Sequence, residues 1–165
     1  MAIYRVKQFI WAITAKFRPI DKELIDKYLN KEEKKLFNQL GFSDRHHCIR
    51  VCNDALEKYN FEDIDKNKLA KIALLHDIGK ASGRLNIIDK SVIVIVDKIT
   101  KGKLRKYSFN RKIDTYYNHP KKSVDLLNNI NKYDNEFLEA IEQHHYKKIG
   151  QNVYLKIVRE CDDNN

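Results

Sequence analysis

Apolar residues recur every three or four positions along most of this chain, with short polar breaks between the runs. Breakers are few, 5 Gly and 2 Pro in 165 residues, so the pattern predicts an all-α fold. Helices are expected over 3–17, 21–29, 31–40 and 43–59. Asp21 and Asn30 are suited to cap helix starts, and Gly41 to stop a helix. A further helix is expected from Asp65 to Ile78, ending at Gly79, with Leu69, Ile72, Ala73 and His76 on its apolar face. The stretch from Ile87 to Ile99 admits two readings. Its run Val92-Ile93-Val94-Ile95-Val96 has strand propensity. No second strand is available to pair with it, so the stretch is read as a helix. Residues 100–118 read as a loop with a turn of helix. Pro120 is expected at the first position of a helix reaching about Asn129. Helices over 134–147 and 152–163 complete the chain.

A hydrophobic content of 42% and a charged content of 33% fit a soluble globular protein, expected to be a single domain over 1–165 and cytoplasmic. The net charge of +9, from 32 Lys+Arg against 23 Asp+Glu, favours anionic partners. The lysines look scattered, as in Lys31, Lys34, Lys35, Lys66, Lys68 and Lys71, with no arginine-rich arm. A solvated surface and a small phosphorylated ligand are therefore expected, rather than a stable nucleic-acid partner. The stretch from Ile3 to Phe17 is amphipathic and interrupted by Arg5, Lys7 and Lys16, too short to span a bilayer. It lacks a small-residue cleavage site after a proper apolar core, and it is expected to pack on the domain, with no membrane partner. Cys48, Cys52 and Cys161 are expected to be reduced thiols; Cys48 and Cys52 lack the second pair a zinc finger needs and read as small core residues.

The histidines change the picture. All six fall in doublets or beside chemically telling neighbours: His46-His47, His76-Asp77, His119-Pro120 and His144-His145. On the 43–59 helix His47 shares a face with Val51 and Ala55, whereas His46 aligns with Arg50 and Asp54 and is expected nearer solvent. His76 and Asp77 end an apolar helix face, where a buried carboxylate needs a partner or a metal. His119 precedes a proline and is expected at a helix entrance. His144 and His145 both follow Phe137 and Ile141, and phase does not choose between them. In the last helix Asp162 stacks under Val158 and Tyr154 and points inward, with Asp163 outward. Any one of these side chains alone is more often a core histidine, a cap or half of a surface pair. The whole set suits a cavity for one or two divalent metals.

With these residues in view, the sequence resembles the HD-domain superfamily of metal-dependent phosphohydrolases, in its HDIG subgroup. Leu75-His76-Asp77-Ile78-Gly79-Lys80 carries the HDIG signature, and His47-Cys48-Ile49-Arg50-Val51 resembles the first-histidine motif His-Ser-x-x-Val. His119-Pro120, the pair His144-His145 and the step Cys161-Asp162 resemble later ligand segments of two-metal members. The likeness covers about 43–163 and leaves 1–40 as an N-terminal helical extension.

The resemblance implies a helical bundle with two divalent ions, iron, manganese, zinc, nickel and magnesium not being distinguished. His47, His76, Asp77 and Asp162 would hold the first ion. Asp77 would bridge to a second at His119 and His144, with His145 a further candidate. Asp77 and Lys80 would be the catalytic residues, Lys80 meeting the substrate phosphate with help from Arg84. The substrate implied is a nucleotide or another phosphate ester or anhydride. A di-iron oxygenase and a nucleotide-sensing module with little turnover are the alternative readings. The chain departs from the cyclic-di-nucleotide branch after the histidine pair, reading Tyr146-Lys147-Lys148-Ile149-Gly150-Gln151-Asn152 where that branch has Glu and then Asp-Gly-x-Gly-Tyr-Pro. It also has Ser43 where that branch can carry a glutamate, so a third metal is not implied. Aromatic candidates for base recognition are Tyr107, Phe109, Tyr116 and Tyr117.

Overall fold

Six side chains set where helices begin. Asp21, Asn30, Asp65, Asn110, Asp134 and Asn152 each accept hydrogen bonds from backbone N–H groups of the turn that follows. The computed structural model describes residues 19–59, 62–83, 85, 87–146 and 150–165. Among them lie eight helices and no strand. These are α1 (Lys22–Tyr28), α2 (Lys31–Phe37), α3 (Phe42–Lys58), α4 (Lys66–Leu75), α5 (Ile87–Ile99), α6 (Arg111–Asn128), α7 (Asn135–Glu142) and α8 (Val153–Asn164). Two 3₁₀ turns, Ile78–Ser82 and Lys103–Tyr107, precede α5 and α6 respectively. The helix predicted over 3–17 lies outside the described residues, as does Arg84.

The all-α expectation holds, and Ile87–Ile99 is a helix. Four local expectations are corrected. The helix from Asp65 stops at Leu75, because the chain tightens into a 3₁₀ turn that brings Gly79 against α6. Pro120 lies inside α6 rather than at its start, since the Asn110 cap begins that helix nine residues earlier than expected. Helix α7 ends at Glu142, so His144 and His145 sit in the turn after it. Gly41 is the N-cap of α3 and has an ordinary negative φ, rather than the left-handed conformation of a helix stop.

Helix α4 is the centre of the bundle and packs against α1, α2, α3, α7 and α8. It is apolar on nearly every side: Leu69, Ala70, Ile72, Ala73, Leu74 and Leu75 are all fully buried, as expected of a helix enclosed by others. Phe37, Cys48, Val51, Cys52, Leu155, Val158 and Cys161 close around it. The three thiols are free and buried, as packed apolar residues. Burial pushes the Cys52 thiol up to about 12, which leaves it neutral.

The N-terminal helices are tied to α4 by a charge as well as by packing. Glu33 is fully buried on α2. It completes a capping box with Asn30 and receives the Lys71 ammonium at 2.9 Å and the Tyr133 hydroxyl at 3.0 Å. Removing this carboxylate loses the box and strands Lys71, whose side chain keeps some access to water. Glu33→Ala is expected to lower stability by about 2–3 kcal/mol in urea unfolding, below the cost of breaking a fully buried pair.

Candidate metal centre

The candidate site is assembled where the 3₁₀ turn Ile78–Ser82 runs along α6. Gly79 packs directly on the α6 backbone: a Cβ there would lie 2.1 Å from the His119 carbonyl oxygen and 2.7 Å from the Ser123 nitrogen. One turn earlier on α6, Thr115 fills the space beside Gly83, where a Cβ would lie 2.6 Å from the threonine hydroxyl. Thr115, His119 and Ser123 thus form one stripe at four-residue steps, matched by glycines four residues apart. The Ser123 hydroxyl binds both strands of the seam. It accepts from the Gly79 N–H at 2.8 Å, and its one proton has two carbonyls at 2.9 Å, that of His76 at the end of α4 and that of His119 in its own helix. The seam places Asp77 opposite His119.

Three imidazoles are oriented by backbone carbonyls of their own segments. The Nδ1 of His76 lies 2.8 Å from the Ala73 carbonyl, that of His144 2.6 Å from Ile141, and that of His119 3.0 Å from Tyr116. A carbonyl only accepts, so each Nδ1 carries the proton and each Nε2 turns towards the cavity. Pro120 has a part in this. It has no N–H to give to the Tyr116 carbonyl, and the His119 ring takes that acceptor instead. His119 is therefore presented from the middle of a helix, not from a helix entrance.

All seven residues picked from the sequence as metal candidates converge. Asp77 Oδ2 is 3.4 Å from His76 Nε2 and 3.7 Å from His47 Nε2. Its other oxygen, Oδ1, is 3.3 Å from His119 Nε2 and 3.8 Å from His144 Nε2. Asp162 Oδ1 lies 2.8 Å from His47 Nε2 and 3.8 Å from His76 Nε2, and Asp162 Oδ2 is 3.8 Å from His145 Nδ1. Two groups result, each with ligand atoms within 4.8 Å of one another: His47, His76 and Asp162, and Asp77, His119, His144 and His145. His76, Asp77 and His144 are sealed from solvent, while His47, Lys80 and the half-exposed His145 line the open side. The Lys80 ammonium contacts Asp77 Oδ2. His46, expected nearer solvent, is instead buried; Asp163 points outward as expected.

The donor set fits a cation. Among the described residues, the Nε2 atoms of His76, His119 and His144 and the Oδ1 of Asp77 are buried without a hydrogen-bond partner. Leaving four such groups unsatisfied costs free energy that coordination would return. Burial, followed by the charges of His145 and His76, holds His144 well below the usual histidine range. Burial likewise lowers His119. Both rings are thus neutral, the form that ligates. Burial would raise Asp77, but the Lys80 and His76 charges outweigh it and hold the carboxylate well below its ordinary range. Burial would lower His76, but the Asp77 and Asp162 carboxylates raise it to about 10, so a proton stands where a cation would neutralise the same charges. Cys48 also approaches His76 and Asp77. Burial and then the Asp77 charge push its thiol far up, and it stays a packed neutral group.

The HD domain family model matches residues 45–163, well over half of the chain. The chain belongs to the HD-domain family. No curated protein and no solved structure matches it. HD domains bind divalent metals and are in general metal-dependent phosphohydrolases, and the His/Asp cluster of this HD domain is compatible with both. The matched span takes in every candidate ligand and leaves α1 and α2 outside. Ser123 and Thr115, which hold the two halves of the HD site in register, were not picked from the sequence. Their four-residue spacing from His119 is the signal that marks them. Of the aromatic candidates, Tyr107 and Phe109 face solvent, and the Tyr117 hydroxyl donates to Asp97.

Gly79→Ala is expected to destabilise the protein by about 1–3 kcal/mol or more, because backbone on both sides must shift. The urea midpoint checks the stability. A change at His119 in histidine NMR spectra checks that the seam has opened; unaltered stability would mean that the glycine contact carries no constraint.

Proposed function

We propose that this chain is a metal-dependent phosphohydrolase acting on a nucleotide or other phosphate ester or anhydride, with two divalent ions sharing Asp77. One observation carries the reading. The two carboxylate oxygens of Asp77 face different histidine sets, His47 and His76 on one side and His119 and His144 on the other. A carboxylate so placed is suited to bridge two cations. His47, His76 and Asp162 would complete one site, and His119, His144 and His145 the other. Bound divalent ions supply an acidified water and polarise phosphoryl oxygens.

The chain's own residues account for the rest. Lys80, beside Asp77 at the open side, would bind a phosphate oxygen and balance its growing charge. His145, half exposed next to Asp162, is placed to meet an incoming substrate. The buried walls around His76 and His144 keep bulk water from the far side of the cavity. Phosphate substrates also suit the net charge of +9.

Elemental analysis of protein purified without added metal or chelator is the direct test. Wild type is expected to hold two divalent ions per chain and His119→Ala to lose one. Hydrolysis of a phosphate-ester and nucleotide panel is expected to fall at least about a hundredfold in His76→Ala. One ion per chain, unchanged by His119→Ala, would refute the shared-carboxylate arrangement. Lys80→Ala is expected to keep its metal and lose about a hundredfold in kcat; an unchanged kcat would leave Lys80 only as a partner of Asp77. Oxygen consumption with bound iron and no phosphatase activity would assign the cluster to oxidation instead.

A further inference from the structure

A second surface, on α5 and the 3₁₀ turn Lys103–Tyr107, has chemistry of its own. Helix α5 rests on α6 and on that turn. Ile93 is buried, but Val92, Ile95 and Ile99 form a stripe at three- and four-residue steps that stays in water, Ile99 at 75% exposure. Past the helix end, Tyr107 and Phe109 meet edge to face with ring centroids 6.0 Å apart, and Phe109 is 87% exposed. A Phe this open, next to a bare aliphatic stripe, is unusual on a folded domain and marks an interaction surface.

The charge around this apolar face is mostly positive: of the acidic residues on α5, Asp89 pairs with Lys112 and Asp97 accepts from the Tyr117 hydroxyl. Seven cations fall between Lys98 and Lys112, with no acidic residue in that interval. Along the chain these lysines look like part of a scattered set, and no membrane partner is expected of them. In the fold the turn Lys103–Tyr107, which carries three of the seven cations, packs on α5. Lys101 and Gly102 turn through positive φ, and the Gly102 N–H bonds back to the Asp97 carbonyl at 3.0 Å, which folds the 3₁₀ turn back beside α5. Lys101, Lys103 and Lys106 have no carboxylate partner among the described residues.

We infer that this face docks on an anionic lipid bilayer, with Val92, Ile95, Ile99 and Phe109 entering the headgroup boundary and the surrounding cations meeting lipid phosphates. A second copy of the chain would bring two cationic faces together, which repel. Nucleic acid would match the charge and find Tyr107 and Phe109 to stack on, but it would leave the aliphatic stripe of Val92, Ile95 and Ile99 in water. An interfacial surface uses both halves, apolar side chains for insertion and Lys and Arg for anionic headgroups. Docking through α5 would be peripheral; among the described residues no helix is long and apolar enough to cross a membrane.

Co-sedimentation of the full chain with vesicles tests the inference, using phosphatidylcholine alone and phosphatidylcholine mixed with phosphatidylglycerol. Binding is expected on the anionic vesicles, at least about tenfold weaker on the zwitterionic ones, and to weaken as salt is raised. The double variant Ile99→Ser/Phe109→Ser and the triple variant Lys101→Glu/Lys103→Glu/Lys106→Glu are each expected to lose about tenfold in partitioning. Thermal melts followed by circular dichroism should be unchanged, since all five side chains are exposed. No binding to anionic vesicles overturns the inference. So does binding that both variants retain, which would place the contact elsewhere on the chain, or displacement from vesicles by single-stranded RNA, which would make the face a nucleic-acid surface.

Discussion

The contact between Gly79 and the backbone of α6 governs the geometry of the site. Helices normally keep 8–10 Å between axes because side chains stand between them. Here a 3₁₀ turn without a side chain at the critical point lies on the His119 carbonyl itself. Ser123 then ties the turn after α4 to the same helix by accepting the Gly79 N–H. Everything that faces the cavity from α4 is thereby measured against everything that faces it from α6. The tolerance is smaller than one methyl group. A glycine beside the His-Asp doublet is thus a distance constraint, and the spacing of ligand atoms across the cavity follows from it.

The second requirement is a place for charge. Asp77 is sealed from water, which is expensive for an ionised carboxylate unless cations or donors surround it. The fold provides Lys80 and four imidazoles, and it spends apolar volume from α4, α7 and α8 to enclose them. That enclosure explains why the last turn of α4, Ile72 to Leu75, is wholly apolar. That turn forms the floor of a polar cavity, and any water admitted through the helix would compete for the same lone pairs. Glu33 solves a similar problem beside the middle of α4 by a simpler route, an ion pair with one partner still open to solvent.

Much of this was legible in the sequence. Apolar periodicity located most of the described helices, and the caps Asp21 and Asn30 were visible as residue types; Ile87–Ile99 was read as a helix for want of a partner strand, and the first turns of α6 as a loop. Helix phase chose His47 over His46 as the cavity residue and Asp162 over Asp163, since those choices depend only on a 3.6-residue turn. The failures are equally physical. Proline chemistry placed Pro120 at a helix start, but the Asn110 cap began the helix earlier, and the displaced carbonyl found a side-chain donor. Helical extrapolation carried α7 to 147, whereas the chain turns at Gln143 so that His144 can bond back to Ile141. The burial of His46 was missed because helix phase aligned it with the polar residues Arg50 and Asp54, whereas the structure buries its ring. Ser123 and Thr115 went unnoticed because their work is done across a seam that exists only in three dimensions.

The imidazoles of His76, His119 and His144 share a feature with a wider consequence. Each ring is braced against a carbonyl three residues behind it, so its bearing is set within its own segment and owes nothing to a neighbouring helix. The ligand atoms are in effect markers fixed to α4, to α6 and to the turn after α7, with Asp162 a fourth on α8. Cations at the two groups would join α3, α4 and α8 in one and α6 and the turn after α7 in the other, with Asp77 common to both. Ion occupancy would then add to the apolar core and the Gly79 seam in holding these parts together, and it would raise the stability of the bundle as a whole.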